Sequence, residues 1–230
     1  MSQQLVIRLI PIQILLLCLV AGWFAVGAVQ ALIKNGPGAA SVGLAPQPQL
    51  QDVAVAPAAP SATGTLSRVF TPEVLFWEDK IVAWSAAFGL DPNLVATVMQ
   101  IESCGAPGVV STSGAQGLFQ VMPFHFTEGE AMQDPDTNAA RGLAYLALGL
   151  QRGGGDAGLA LAGYNGGHSQ IGKDGSLWPA QTQRYWYWGT GIYDEARSGA
   201  AQSARLQEWL QAGGASLCST AASQIGLAAQ

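Results

Sequence analysis

One carboxylate in this sequence stands where a helix is expected to face the protein interior. Apolar residues from Leu94 to Ile101 recur at helical spacing after the start signal Asp91-Pro92, and Glu102 follows Val98 by one helical turn. Burial raises the pKa of a carboxyl group, and an acid that stays protonated near neutral pH suits general-acid cleavage of a glycosidic bond. The same spacing allows Glu102 to turn into solvent, because helix ends fray.

Several polar and glycine-containing motifs follow Glu102 along the chain. A Ser-Thr-Ser-Gly turn begins at Ser111, and a Gly-Leu-Phe-Gln-Val-Met-Pro run spans residues 117–123. A Leu-Ala-Gly-Tyr-Asn-Gly-Gly run spans residues 161–167, and a Tyr-Trp-Tyr-Trp run spans residues 185–188. Each motif alone is weakly informative, but their order and spacing together are specific.

In this combination the residues resemble the lytic transglycosylase domain of the soluble type (SLT), a relative of goose-type lysozyme. The resemblance covers about residues 93–193 and implies a mainly α, lysozyme-like helical domain. The family often has Glu before the Thr of its Thr-x-x-Tyr motif, where this sequence has Gln181, so an ion pair made by that Glu is missing. The matching positions are Glu102-Ser103, Ser111, Gly117–Pro123, Asn138, Gly154-Gly155-Asp156, Tyr164–Gly167, Thr182 and Tyr185.

The resemblance implies a role for each of the matching side chains. Glu102 would be the catalytic residue, and Tyr185 would lie close to the bond that is cut. The residues implied to line the glycan groove are Ser111, Gln120, Met122 and Asn165, with Tyr164 either supporting catalysis or serving the structure. The alternatives are ordinary ones, since Gln120 and Asn165 could tie loop backbone together and Met122 could fill the core.

The activity implied by the resemblance is lytic cleavage of the β-1,4 MurNAc–GlcNAc bond of peptidoglycan. A single Glu would protonate the bridging oxygen and then act as base on the C6 hydroxyl of the muramic acid, giving a 1,6-anhydro end. Three alternatives stay open: a muramidase that hydrolyses the same bond, a non-catalytic wall-binding scaffold, and a component of a larger envelope machine whose partners the sequence does not identify.

Other acidic and aromatic groups are weighed against this single-carboxylate interpretation. A second catalytic carboxylate would come from the acidic stretch that follows the Met-Pro motif, which is interpreted as a solvated loop face. The tryptophans near the Tyr-Trp-Tyr-Trp run could stack on sugars or serve the core. The acidic residues are Glu128, Glu130, Asp134 and Asp136, and the tryptophans are Trp178, Trp186 and Trp188.

The three cysteines and two histidines do not predict a metal or cofactor site. Cys104 and Cys218 are predicted to form a disulfide if the domain lies outside the cytoplasm, and to be free thiols if the chain is cytosolic. Cys18 falls in the N-terminal apolar segment. His125 and His168 have no short metal-ligand spacing with these cysteines, so neither zinc nor another cofactor is expected.

Composition divides the chain into unlike segments. Only 11% of the residues are charged and the net charge is −5, which argues against nucleic acid as a partner. Residues 1–34 contain an uncharged stretch from Leu9 to Ile33, predicted to be a transmembrane anchor or, alternatively, a cleaved signal peptide. Residues 35–70 are rich in Ala, Pro and Gly and are predicted to be a disordered linker.

The remaining segments are predicted to fold outside the cytoplasm of a bacterial cell. Residues 71–197 form the predicted catalytic domain, in which acidic residues outnumber basic ones, and residues 198–230 form a helix and tail that pack on it. Helices are expected from Thr71 to Gly89, from Asp91 onward, over residues 138–150, over residues 156–162 and over residues 201–212.

Overall fold

The computed structural model describes residues 65–227, and this part of the chain is helical. No strand occurs within it, although two isolated bridges join Gln116 to Val110 and to Val121. The mainly α prediction is therefore confirmed for the described part, whereas the predicted anchor (1–34) and all but the end of the predicted linker fall outside it. The α-helices are α1 Pro72–Leu75, α2 Glu78–Phe88, α3 Pro92–Glu102, α4 Pro135–Arg152, α5 Ala157–Gly166, α6 Ala180–Arg197, α7 Ala204–Trp209 and α8 Ala215–Ile225.

Aspartate side chains begin the helices that surround the site. Asp91, Asp134 and Asp156 accept hydrogen bonds from backbone N–H groups in the first turns of α3, α4 and α5, so each satisfies a donor that the helix leaves free. The predicted starts of α3 and α5 are confirmed. Helix α4 begins before the predicted residue 138, because Asp134 rather than Asn138 caps it.

Three sequence predictions differ from the observed elements. The helix expected from Thr71 to Gly89 is divided at Trp77 into α1 and α2. The Thr71 hydroxyl does not cap it, since that hydroxyl lies against Gln100 and Cys104 instead. The helix expected over residues 201–212 is α7, which continues through a π-helical turn (Leu210–Gly214) into α8.

The folded core also begins earlier than the predicted domain boundary at residue 71. Leu66, Val69 and Phe70 are buried and belong to the same apolar cluster as α3. The Pro- and Ala-rich composition around these three residues predicts a linker. Their burial against the helices places them in the folded domain instead. Residues of the predicted tail, Leu206 and Trp209, join the same cluster.

Helix α3 lies at the centre of the core. Nine consecutive residues, Pro92 to Gln100, are buried, and α3 packs against α1, α2 and α6. Helix α5 in turn packs against α4 and α6. An element buried on all sides has a fixed position, so the residue that ends α3, Glu102, is held by the most enclosed helix of the described domain.

The cysteines of the described part are joined. Cys104, two residues after Glu102, forms a disulfide with Cys218 in α8, with the two Cα atoms 4.9 Å apart. The bond closes a loop with a sequence separation of 114 residues. Bridges of this kind typically stabilise a fold by about 2–4 kcal/mol. Cys18 lies outside the described residues.

Within residues 65–227, no single helix has the length and apolar character to cross a membrane. The consecutive helices α2 and α3 meet those criteria only as a pair, on length and composition, and are bent by 119° relative to each other.

Candidate active site

Glu102 is the last residue of α3, and its side chain is half-buried. Its neighbour one turn earlier, Val98, is wholly buried, and Ser103 just beyond it is also buried. The enclosure removes water from the carboxyl group and raises its pKa from 4.5 to about 8, and the nearby Tyr185 hydroxyl offsets part of that rise. Glu102 is therefore mainly protonated at neutral pH and can donate a proton.

Two tyrosines flank this carboxyl group. Burial and the charge of Glu102 raise the pKa of both Tyr164 and Tyr185 well above its usual range, so both phenols stay protonated. The Tyr164 hydroxyl donates to the Phe119 carbonyl at 2.7 Å. The Tyr185 hydroxyl is close enough to lower the pKa of Glu102, but it completes no hydrogen bond of normal distance and angle. This phenol is thus a donor beside the acid that interacts with Glu102 and is bonded to no other described residue.

A buried asparagine fixes residues 117–123, which form the loop that comes after α3. Asn138 in α4 accepts from the Phe119 N–H and donates to the carbonyls of Gln116 and Met132, each at 2.8 Å. The loop can approach this closely because residue 117 is glycine: a Cβ there would lie 2.7 Å from Asn138 Nδ2, and φ is 70°. Asn138 therefore sets the position of residues 117–123.

The side chains predicted to bind glycan also make contacts within the protein. Gln120, which has a positive φ of 45°, donates through Nε2 to the Val109 and Gly117 carbonyls. Ser111 Oγ accepts from the Ala115 N–H, and Asn165 Oδ1 accepts from the Thr182 hydroxyl. For Gln120, the loop-tying role raised as the alternative is present. Contact of these residues with glycan stays a prediction.

One cavity of about 280 Å³ brings together most of the predicted groove residues. Gln120, Met122, Tyr164 and Asn165 line it, whereas Ser111 and Tyr185 do not. Since Tyr164 forms part of the wall and is coupled to the charge of Glu102, the cavity is adjacent to the acid.

Three further aromatic residues of the same cavity were not predicted from the sequence. Phe124, His125 and Tyr145 line it, and Phe124 is 75% exposed. The His125 ring lies 4.6 Å from the Phe124 ring and 4.9 Å from the Tyr145 ring, measured between centroids. Two signals were available: Phe124 and His125 directly follow the Met-Pro motif, and Tyr145 follows Asn138 by two turns of α4.

A second cavity, of about 1450 Å³, has a different set of lining residues, and Glu102 lines neither cavity. The three tryptophans predicted either to stack on sugars or to serve the core line this second cavity but differ in exposure. Trp178 is 8% exposed and donates to the Gln170 carbonyl, whereas Trp186 is 40% exposed and Trp188 half-buried. We place the reaction beside the smaller cavity, because Tyr164 lines it and the charge of Glu102 contributes to the raised pKa of Tyr164.

The acidic stretch considered as a source of a second carboxylate is engaged elsewhere. Glu130 pairs with Arg141, Asp136 pairs with Lys80, and Asp134 caps α4. Glu128 is exposed. Their cation and hydrogen-bond partners lower the pKa values of Glu130 and Asp136, so these groups are ionised surface carboxylates.

The potential metal ligands of the described part do not form an open site. One group, Glu73 with Cys104 and Cys218, has its ligand atoms within 4.8 Å of one another, but both sulfurs are consumed by the disulfide. His168 contacts the Tyr145 carbonyl through Nε2 and Arg152 through Nδ1, and burial lowers its pKa.

Comparison of the sequence with known proteins finds one matching family and several similar proteins. Residues 79–186 match the family description "Transglycosylase SLT domain". A transglycosylase of Enterobacteria phage PRD1 is 41% identical over 113 residues, covering 48% of this chain and 40% of the phage protein. An endo-type membrane-bound lytic murein transglycosylase A of Klebsiella pneumoniae is 37% identical over 78 residues, covering 27% of this chain and 37% of that protein.

A solved structure of the lytic transglycosylase Slt from Pseudomonas aeruginosa is 21% identical, covering 65% of this chain and 24% of that one at a TM-score of 0.38. At that TM-score the structural likeness does not establish a shared fold. The chain spans about two fifths of the length of the relatives it matches. The family match includes Glu102, Asn138, Tyr164 and Tyr185, the residues that build the site. Residues 79–186 of this chain, which contain the whole site around Glu102, thus match the transglycosylase SLT domain family.

Proposed function

We propose that this protein is a peptidoglycan lytic transglycosylase in which Glu102 is both acid and base. The observation that carries the proposal is a half-buried carboxyl whose pKa is raised to about 8 beside the unbonded hydroxyl of Tyr185. A neutral carboxylic acid facing a groove is the group required to protonate a glycosidic oxygen.

Proton transfer from Glu102 to the bridging oxygen breaks the bond between MurNAc and GlcNAc and leaves an oxocarbenium-like sugar. Glu102, now ionised, accepts the proton of the C6 hydroxyl, and that oxygen closes on the anomeric carbon. The Tyr185 hydroxyl can donate to the carboxylate or the sugar during this step, since no other group uses it. No water is consumed, and the product is a 1,6-anhydro end.

Hydrolysis of the same bond is the alternative reaction. Most glycosidases use a second carboxylate as nucleophile or base. No Asp or Glu is among the described residues that line the cavity beside Glu102, and the acidic stretch is paired or capping elsewhere. This arrangement favours intramolecular closure over activation of water.

A non-catalytic wall-binding scaffold fits the site less well. A binding module gains nothing from a carboxyl held out of water, because an unpaired buried acid costs folding free energy. The protonated Glu102 therefore supports an enzyme.

We further propose that the catalytic domain acts outside the cytoplasm, in the bacterial cell envelope, tethered by an anchor in residues 1–34. Two relatives carry "membrane-bound" and "murein" in their names, which supports this location. The Cys104–Cys218 bond also suits an oxidising compartment. The partners proposed are peptidoglycan glycan strands and the membrane, with envelope machinery as a third.

The test is product analysis of purified peptidoglycan by mass spectrometry, with Glu102→Gln and Glu128→Gln compared with wild type. Wild type and Glu128→Gln should release anhydro-muropeptides, one water lighter than hydrolytic products, and Glu102→Gln should release none. If the wild type releases hydrolytic products, the enzyme is a muramidase and not a lyase. If Glu102→Gln is active, Glu102 is not the catalytic acid.

A further inference from the structure

The backbone directly after Glu102 turns through two residues in the left-handed region. Cys104 has φ 53° and Gly105 has φ 86°. Within residues 65–227, Cys104 and Gln120 are the only residues other than glycine with positive φ. A residue with a side chain stays in this region only where its surroundings enforce it. Side-chain contacts with neighbouring elements must therefore hold the turn.

Helix α8 contacts the turn and the segment that follows it. Cys218 is bonded to Cys104 in the turn, and three residues beyond Gly105 the Gln224 side-chain oxygen accepts from the Gly108 N–H at 2.8 Å. Both contacts come from a segment far along the chain, so a remote element holds the turn directly and also the backbone next to it.

The opposite side of the turn is closed by α1 and the residues beside it. Trp77 donates through Nε1 to the Gly105 carbonyl at 2.9 Å. Gly105 itself is pressed against α1, because a Cβ there would lie 2.7 Å from the Glu73 carbonyl oxygen. Gln100 Nε2 lies 3.0 Å from Cys104 Sγ. The turn is thus enclosed between α1 and α8.

The same turn is connected to the loop beside the cavity. Ser103, between the acid and the half-cystine, donates through Oγ to the Leu118 carbonyl at 2.7 Å and accepts from the Gly105 N–H. A displacement of residues 103–105 would therefore move both the end of α3 and the loop at residues 117–123.

We propose that α8 positions Glu102 for the reaction by keeping Cys104 and Gly105 in their left-handed conformation, directly through the bond from Cys218 and indirectly through the contact of Gln224 with the adjoining Gly108. The inference rests on the proposed catalytic role of Glu102. A bridge that only stabilised the fold would change the midpoint of thermal unfolding and leave the rate of the folded enzyme unchanged.

The test replaces both half-cystines in two ways. Cys104→Ala with Cys218→Ala removes the bond and leaves a residue that disfavours positive φ. Cys104→Gly with Cys218→Ala removes the bond but keeps a residue that adopts it freely. We expect both double variants to melt earlier than wild type. We expect kcat to fall by roughly tenfold or more in the alanine version, with recovery of most of it in the glycine version.

The alkaline limb of the pH–rate profile gives a second measurement, which a change in fold stability alone does not shift. In the alanine version the limb should shift to lower pH, because a loosened helix end admits water to Glu102 and lowers its pKa. The glycine version should keep the limb near that of wild type. All assays are run well below the lowest melting temperature, with Leu206→Ala as a destabilised control in α7.

Unchanged kcat and pH limb in the folded alanine version would overturn the positioning role, as would equal losses in the alanine and glycine versions. If the alanine version does not fold, Gln224→Ala takes its place: a lower kcat with a nearly unchanged melting temperature supports the proposal, and an unchanged kcat overturns it. Absence of glycan cleavage by wild type would overturn the proposed function itself, which separates the two failures.

Discussion

The hydroxyl of Tyr185 lies close enough to the carboxyl group of Glu102 to lower its pKa, and it completes a hydrogen bond of normal distance and angle with no residue of the described part. This phenol comes from α6, and the carboxyl from the end of α3. Two helices that pack against each other in the core thus bring a proton donor and a free hydroxyl to one point.

Tyr185→Phe is expected to slow the reaction and leave the fold as stable as wild type. The hydroxyl completes no hydrogen bond of normal distance and angle in the described part, so its removal should change the melting temperature little. Removal of the hydroxyl that offsets the rise in the pKa of Glu102 should move the alkaline limb of the pH–rate profile upward. The measurement is kcat against pH, with Tyr187→Phe, 42% exposed, as the matched control. An unmoved limb would contradict the contact.

Activity of the wild type should fall as the pH rises through about 8, because Glu102 must carry a proton to act as the acid.

The free energy of unfolding should depend on the ionisation of the same carboxyl group. The pKa of Glu102 is about 4.5 unfolded and about 8 folded, so its ionisation penalty is absent below 4.5, grows between 4.5 and 8, and is complete above 8.

Glu102→Gln isolates this penalty, since the amide cannot ionise. The variant and wild type should have similar free energies of unfolding near pH 4.5, and the variant should be more stable by an amount on the order of a few kcal/mol near pH 9. Denaturant unfolding at both pH values measures the difference. Parallel stability curves across this range would show that Glu102 ionises freely.

Asn138→Ala should destabilise the protein and abolish activity together. The side chain satisfies the Phe119 N–H and two carbonyls in a buried setting, and its loss leaves them without partners at a cost of about 3 kcal/mol or more. Urea unfolding measures the stability. Gln133→Ala, which removes one exposed side-chain contact to Gln116, should change stability by less than about 0.5 kcal/mol. A small effect of the Asn138 change would mean that the loop is held by other contacts.

Phe124→Ala should raise KM several-fold and leave kcat and stability unchanged. The ring is 75% exposed at the edge of the cavity beside Glu102, where an aromatic face can contact a sugar ring far from the reacting bond. Loss of uniform binding appears in KM alone. Leu177→Ala, which removes a 71% exposed side chain outside that cavity, is the control. Equal KM values for the two variants would exclude Phe124 from glycan binding.

Much of the fold around the acid could be predicted from the sequence, because its signals are local. Asp91-Pro92 begins α3, Gly89 ends α2 with a left-handed φ of 63°, and Asp156 begins α5. These features depend on residues within one turn of one another. Division of the first helix at Trp77 could not be predicted this way, since the indole reaches the Gly105 carbonyl 28 residues away.

The candidate site shows the same limit. The position of Glu102 on the helical stripe allowed either a desolvated acid or one turned into solvent, and in the structure burial raises the pKa of this carboxyl group. The enclosure of Leu66 and Phe70 was missed because it depends on distant helices, and so was the gathering of Phe124 and Tyr145 at one cavity. Tertiary packing decides such contacts, and the local pattern around each residue is silent on them.

The burial of nine consecutive residues in α3 determines how slowly the backbone that leads to Glu102 opens to solvent. Amides in the most enclosed helix of a domain exchange with deuterium only through its largest openings, whereas exposed turns exchange through local fluctuations. Val95 to Met99 should therefore be among the slowest-exchanging amides of the domain. Fraying elsewhere, at the Thr112–Gly114 turn for example, would leave the backbone leading to Glu102 protected.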